Sequence, residues 1–210
     1  MTIKGRIAAR LHALAGRYGQ SRLHGSLTAA AVRLRPSDAF PPDWCDLWSL
    51  YRLVRQRRPL TIVELGSGCS TVVIAEALQA NGAGVLYTYD SLPEWLAATE
   101  SSMPDVLRPY VRFGRAPVTV QARDDRSVWR HHGEFPAGID FLYLDSPLLT
   151  PEVRVADDPL ALLPHLSPAA IIVVDGRREN ADWLSRQLRD WRRTRQHILG
   201  TSRFVRRREG

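Results

Sequence analysis

Apolar residues along the chain fall into short unbroken runs separated by stretches of helical spacing. Leu60-Thr61-Ile62-Val63, Val85-Leu86-Tyr87, Phe141-Leu142-Tyr143-Leu144 and Ile171-Ile172-Val173-Val174 are rich in β-branched and aromatic residues. Because they do not alternate with polar residues, they predict strands buried on both faces, over 60–65, 84–89, 140–145 and 170–175. A further strand is predicted near 111–120. Helical periodicity predicts helices over 71–80, 93–103, 157–164 and 180–192. Strands alternating with helices predict an α/β domain with a parallel sheet covered on both faces. Near the end, 196–199 and 203–206 flank Gly200-Thr201-Ser202 and predict a hairpin.

The first 42 residues read differently. Ile7, Leu11 and Leu14 recur at helical spacing, but Gly16, Gly19 and Gly25 interrupt them, which predicts a short helix and an irregular arm. Pro36, Pro41 and Pro42 read as a linker. Asp43 then offers an N-cap to a helix striped by Leu47, Leu50, Tyr51 and Val54. The expected organisation is a basic arm and linker over 1–42 and one catalytic domain over 43–210.

The chemistry concentrates where the first strand ends, in Glu64-Leu65-Gly66-Ser67-Gly68-Cys69-Ser70-Thr71. A strand running into a glycine turn that opens a helix is a nucleotide-cofactor arrangement: glycines permit positive φ and a close approach of backbone to ligand, and Ser70 or Thr71 can cap the helix. Thr71 stands where a dinucleotide fingerprint has its third glycine, and no lysine precedes Ser70 or Thr71 as a phosphate loop requires. NAD and ATP therefore fit poorly. The second strand ends in Asp90, the spacing at which an acid can accept ribose hydroxyls. With Asp145 and Asp175, four strands present acids at one sheet edge.

Glu64-x-Gly66-x-Gly68 at the end of a first strand, followed by Asp90, Leu144-Asp145-Ser146-Pro147 and Val174-Asp175-Gly176-Arg177, resembles the class I S-adenosylmethionine-dependent methyltransferases over about residues 43–208. Within that class the chain is most similar to small bacterial members of the catechol O-methyltransferase type. The resemblance implies a Rossmann-like, doubly wound, mostly parallel seven-stranded sheet ending in an antiparallel hairpin. It implies that Gly66, Ser67, Gly68 and Ser70 line the methionine part of the cofactor. Glu64 would lie near its amino group or support the turn, and Asp90 would grip the ribose. Adenine contacts fall to Arg115-Ala116-Pro117 or Ala122-Arg123-Asp124, with Trp129 as a stacking wall or plain core. Asp145 is the candidate for positioning or deprotonating the acceptor, a small molecule methylated on oxygen or nitrogen. His131, His132 and His165 are secondary bases that read more readily as surface or helix-end residues. Arg154, Arg177 and Arg178 are candidates for holding an anionic acceptor.

Catechol-type relatives hold a divalent cation with two strand-end aspartates and an asparagine. Asp145 and Asp175 match the aspartates, but Gly176 replaces the asparagine and Asn180 follows a helical turn later, so a metal-free site is favoured. Two alternatives remain: a non-catalytic binder of the same cofactor, and a nucleic-acid-directed enzyme. The second lacks an aromatic after Asp145-Ser146-Pro147 on which a flipped base would stack.

Composition adds bounds. The 210 residues are 44% hydrophobic and 24% charged, and the formal charge is +7. Lys4 is the only lysine among 29 basic residues, so the basicity reads as arginine-rich codon usage, and no specific nucleic acid is expected as a partner. The N-terminal segment suits a homo-oligomer contact. No apolar run approaches the ~20 residues of a membrane span, and no secretory signal is apparent; a cytoplasmic location with Cys45 and Cys69 reduced is expected.

Overall fold

The computed structural model describes residues 3–34, 41–196 and 200–207. Helices α1 (Ile3–Leu23), α2 (Leu27–Leu34) and α3 (Trp44–Arg57) lead into β1 (Thr61–Leu65), α4 (Cys69–Asn81), β2 (Val85–Asp90), α5 (Pro93–Ser102) and β3 (Val111–Arg115). A small hairpin of β4 (Val118–Arg123) and β5 (Arg126–His131) precedes β6 (Ile139–Leu144). The chain then forms α6 (Asp158–Ala161), β7 (Leu166–Val174), α7 (Arg178–Gln187), β8 (Trp191–Arg195) and β9 (Ser202–Arg206). Seven strands make one sheet in the order β3-β2-β1-β6-β7-β9-β8. The first five are parallel, while β9 and β8 complete the sheet antiparallel. The expected Rossmann-like architecture and terminal hairpin are both present.

Alternation of side chains along each strand explains the unbroken apolar runs. Ile62, Leu86, Phe141 and Ile171 face the layer of α3 and α4, where Leu50, Val54, Val73 and Leu78 meet them. Val63, Leu142, Leu144, Ile172 and Val174 face the opposite layer, where Ala181, Leu184 and Phe204 close the core. Both faces are dry, so both residues of each pair must be apolar.

The N-terminal segment departs from expectation. Gly16 and Gly19 lie inside the single helix α1 instead of breaking it. At Gly19 a Cβ would stand 2.2 Å from the Trp44 carbonyl oxygen, so this glycine lets α1 lie directly on α3. Gly25, at φ +81°, does break the chain, between α1 and α2. Asp43 caps α3 as expected, accepting from the amides of Cys45 and Asp46. Ile7, Leu11, Leu14 and Tyr18 remain exposed on α1. Pro36 lies outside the described residues.

Other boundaries move for identifiable reasons. The strand expected near 111–120 is two strands in different sheets, because Pro117 has no N–H to continue the ladder and β4 turns away to pair with β5. The helix expected over 157–164 closes after Ala161 and continues as a 3₁₀ turn at Leu163–His165 around Pro164. The last helix ends at Gln187 and Trp191 starts β8, so the hairpin's first strand precedes 196–199, of which 197–199 lie outside the described residues. Among the described residues no helix is long and apolar enough to cross a membrane.

Candidate functional site

The ends of β2, β1, β6 and β7 are levelled by main-chain hydrogen bonds. Gly66 N–H donates to Tyr89 O at 2.8 Å, Asp145 N–H to Leu65 O at 2.9 Å, and Asp175 N–H to Leu144 O at 3.0 Å. Asp90, the glycine turn, Asp145 and Asp175 therefore sit side by side at the carboxyl edge, where such sheets bind ligands. A cavity of about 410 Å³ opens there. The turn and the strand ends form its floor, Leu92, Trp95 and Thr99 one wall, and Ala31, Pro42, Asp46 and Leu47 another.

Two glycines shape the turn in different ways. Gly66 has φ +104°, and a Cβ there would stand 2.8 Å from Ser146 Cβ; it is needed for both backbone angle and room. Gly68 is extended, with φ 163°, so the positive φ expected of it is absent. Nothing lies within 4 Å of where its Cβ would point, and since Gly68 lines the cavity its missing side chain keeps ligand space clear. Asp90 braces the turn: one carboxylate oxygen accepts from Ser67 N–H at 2.8 Å and from its hydroxyl at 2.9 Å, and the other accepts from Leu92 N–H at 3.0 Å. Ser67 and Ser70 also line the cavity.

Glu64 lies beneath this turn and does not reach the cavity. It is completely buried, and the hydroxyls of Thr71 and Thr88 each donate to its Oε2 at 2.7 Å. Thr71 Oγ1 in turn accepts Gly68 N–H at 2.9 Å, so Glu64, Thr71 and Gly68 form one brace from core to turn. Burial pushes the Glu64 carboxyl up to about 7, against the lowering effect of the surrounding hydroxyls. Of the two roles implied for it, the geometry matches support of the turn.

Next to the turn, on the β6 and β7 side, the cavity is lined by Asp145, Asp175, Tyr143 and Arg177, and Asp46 lines it from α3. Tyr143 donates to Asp175 Oδ2 at 2.6 Å, and Arg177 Nη2 donates to the Asp145 carbonyl. Asp145 has open surface, but it opens onto the cavity. Its depth among protein atoms, and Asp175 beside it, raise its pKa, with Arg177 opposing. Asp46 is raised to about 8, by burial first and then by Asp175 and the other acids nearby. Asp46 Oδ1, Asp175 Oδ1 and Arg177 Nε and Nη1 are buried without a hydrogen-bond partner among the described residues.

Beside Asp145, a second polar chain leads inward. Ser146, which lines the cavity, has its Oγ 3.1 Å from His131 Nε2, and His131 Nδ1 is 3.1 Å from Asp158 Oδ2. The Asp158 carboxylate also accepts His131 N–H at 2.8 Å. His131 is thus a buried, doubly bonded histidine, contrary to the surface reading; its place inside β5, a strand the sequence pattern did not reveal, hid it. His132 and His165 lie away from the cavity.

Several other candidates are not brought to the cavity. Arg115, Ala116, Pro117, Ala122 and Asp124 are absent from its lining, and Arg123 pairs with the buried Asp157 at 2.9 Å. Trp129 donates to Val153 O and packs on the core; Trp95, unremarked in the sequence, is the tryptophan that lines the cavity. Arg154 pairs with Glu179 at the surface, and Arg178 is exposed. Asn180 is spent on the backbone: its carboxamide accepts from Ala156 N and donates to Ala156 O.

A family profile described as a methyltransferase domain matches residues 63–176, just over half of the 210 residues. The chain belongs to the class I S-adenosylmethionine-dependent methyltransferases. Solved structures agree with this methyltransferase in fold. A methyltransferase of Podospora anserina, PaMTH1, bound to S-adenosylhomocysteine, superposes with a TM-score of 0.65 at 15% identity, covering 99% of this chain and 98% of that one. The O-methyltransferase TomG of Streptomyces achromogenes, in complex with S-adenosylmethionine, gives 0.55 at 18% identity, with 86% and 89% covered. An O-methyltransferase of Bacillus cereus in complex with S-adenosylhomocysteine gives 0.56 at 15%, with 91% and 96% covered. No curated protein sequence matches the chain significantly.

Proposed function

We propose that this methyltransferase acts on a small-molecule acceptor, methylating oxygen or nitrogen, and that Asp145 positions that acceptor. The observation that carries the reading is the continuity of one cavity from the glycine turn to Asp145. S-adenosylmethionine supplies an electrophilic methyl group when bound. The turn fits it: Gly68 presents no side chain to the cavity, Gly66, Ser67 and Ser70 line the same end, and Asp90 is a strand-end acid able to accept ribose hydroxyls. Leu92, Trp95 and Thr99 supply the adjoining wall for the adenosine part.

In-line transfer asks the protein to align the two reactants and to receive a proton where the acceptor is a hydroxyl. Asp145, open to the cavity and held at a raised pKa, can orient an acceptor hydroxyl. Ser146 Oγ can pass the proton to His131 Nε2, where Asp158 balances the imidazolium formed; both links are within reach of a proton transfer. The donor set does not fit a divalent ion: Gly176 offers no ligand, Asn180 is bonded to backbone, and Arg177 places a positive charge beside Asp145 and Asp175. The site is read as metal-free. Calorimetry tests the cofactor assignment, with saturable S-adenosylhomocysteine binding expected and no response to NAD. NAD binding without an adenosyl response would overturn it.

A further inference from the structure

Three residues that line the cavity carry four buried polar atoms without a hydrogen-bond partner among the described residues. Two are acceptors, Asp46 Oδ1 and Asp175 Oδ1, and two are donors, Arg177 Nε and Nη1. Arg177 is only 9% exposed, and all three residues line the cavity. A buried polar atom without a partner costs about 1–3 kcal/mol, so four together in a ligand cavity specify the ligand by what would satisfy them.

Simple charged groups satisfy half of the set. An ammonium group would meet the carboxylates but would leave the Arg177 donors unmet beside a like charge. A carboxylate or phosphate would meet Arg177 but has no hydrogen-bond donor to offer Asp175 Oδ1. A hydrocarbon would satisfy none of them. A hydroxyl group donates one hydrogen bond and accepts two, so neighbouring hydroxyls can give protons to Asp46 and Asp175 while accepting from Arg177. The unpartnered atoms also arrive from separate elements, Asp46 from α3 and Asp175 and Arg177 from beyond β7. That arrangement matches hydroxyls distributed around a saturated ring better than hydroxyls along one edge of a flat aromatic one.

We propose, building on the methyltransferase reading of this cavity, that the acceptor is a hydroxyl-rich saturated compound of the sugar or polyol class, held by Asp46, Asp175 and Arg177 with one hydroxyl presented to Asp145. Methyl transfer then forms a carbon–oxygen bond to that hydroxyl as the sulfonium carbon–sulfur bond breaks. The hydroxyl proton leaves through Ser146 to His131, and the sulfur keeps the bonding pair as neutral thioether. The raised pKa of Asp46 suits the role, since a carboxyl partly protonated near neutrality both donates and accepts.

The test uses the full chain saturated with S-adenosylhomocysteine and a panel of methyl glycosides and myo-inositol, set against catechol, benzoate and phenylethylamine. Binding is read by saturation-transfer NMR, and methyl transfer is then read with labelled S-adenosylmethionine. At least one hydroxyl-rich probe should bind and accept the methyl group. Arg177→Gln and Asp46→Asn should each weaken its binding tenfold or more while changing S-adenosylhomocysteine affinity less than threefold. Asp46→Asn guards against a folding defect at the more buried Arg177. Methylation of catechol, benzoate or the amine without hydroxyl-rich binding would overturn the proposal, as would no binding by any hydroxyl-rich probe or glycoside binding indifferent to both substitutions. If the unsubstituted protein fails to bind S-adenosylhomocysteine, the underlying reading of the cavity falls, and the proposal with it.

Discussion

Glu64→Gln gives the most sharply signed expectation. The carboxyl is fully buried, with two threonine hydroxyls on Oε2 and, among the described residues, no hydrogen-bond partner on Oε1. Burial raises it from an ordinary 4.5 to about 7. At about 1.4 kcal/mol for each tenfold change in proton affinity, this difference corresponds to roughly 3 kcal/mol. Below pH 4.5 the side chain is neutral in folded and unfolded chains alike, and its contribution is fully present. Between 4.5 and 7 the folded chain holds the proton more tightly, so stability falls as pH rises, and above 7 the whole penalty of a buried charge applies. Glutamine keeps an acceptor for Thr71 and Thr88 and never ionises. Its amide nitrogen replaces an unpartnered oxygen at a cost of about 1–3 kcal/mol that does not vary with pH. The variant's stability relative to the parent, from urea unfolding, should therefore improve by up to roughly 3 kcal/mol between pH 4 and pH 8. Asp46 and Asp175 titrate in both proteins and largely cancel in the difference, whereas Asp145 is raised in part by the Glu64 charge, so removing that charge adds to the gain at high pH. A difference that is flat, or that falls over this range, would refute the argument.

Three further expectations follow from the same geometry. Asp90→Ala should weaken S-adenosylhomocysteine by about 1.5–3 kcal/mol, the scale of a hydrogen bond to a charged group, and should also lower the melting temperature, because Ser67 and Leu92 lose their acceptor; an unchanged dissociation constant in calorimetry would place the ribose contact elsewhere. Gly66→Ala should destabilise by at least about 2 kcal/mol through its positive φ and its collision with Ser146, whereas Gly68→Ala should fold normally and lose ligand affinity; equal melting temperatures for the two variants would contradict the different roles assigned to them. Once an acceptor is in hand, a chelator should leave turnover unchanged, and activity abolished by chelation and restored by magnesium would reverse the metal-free reading.

How much of this was legible in the sequence depended on whether a residue's role is local. Glu64, Gly66, Gly68, Asp90, Asp145 and Asp175 lie at or just past the ends of strands, and continuous apolar runs mark strand ends clearly, so the sheet edge and its acids could be read from the pattern. Gly19 was misread because a glycine required for close helix packing has the same signature as one that breaks a helix; only Trp44, 25 positions away, distinguishes them. His131 is hidden in the sequence because β5, with the sequence Arg126-Ser127-Val128-Trp129-Arg130-His131, carries charged residues whose partners are distant: Arg130 and the main chain of His131 reach Asp157 and Asp158 at the start of α6. Trp95 and Asp46 gave no signal at all, since nothing in a helix's own sequence says that its polar or aromatic face borders a cavity. The separation of β4 from the main sheet was in principle readable from Pro117.

Ala31 and Pro41–Asp43 complete the cavity, yet they lie outside the segment that matches the family profile. One carboxylate ties α2 down to the shared segment: Glu76 of α4 accepts from Thr28 N–H at 3.0 Å, from the Thr28 hydroxyl at 2.6 Å and from Leu27 N–H at 3.3 Å. On the proposed reading the enzyme is modular at its opening: the turn assigned to the methyl donor lies in the shared segment, while much of the opposite wall comes from the preceding helices. On that reading, proteins carrying the same shared segment under a different N-terminal roof would keep the donor and change the acceptor, yet the roof cannot simply be trimmed away, because Leu50 and Val54 of α3 also cover the buried face of the sheet.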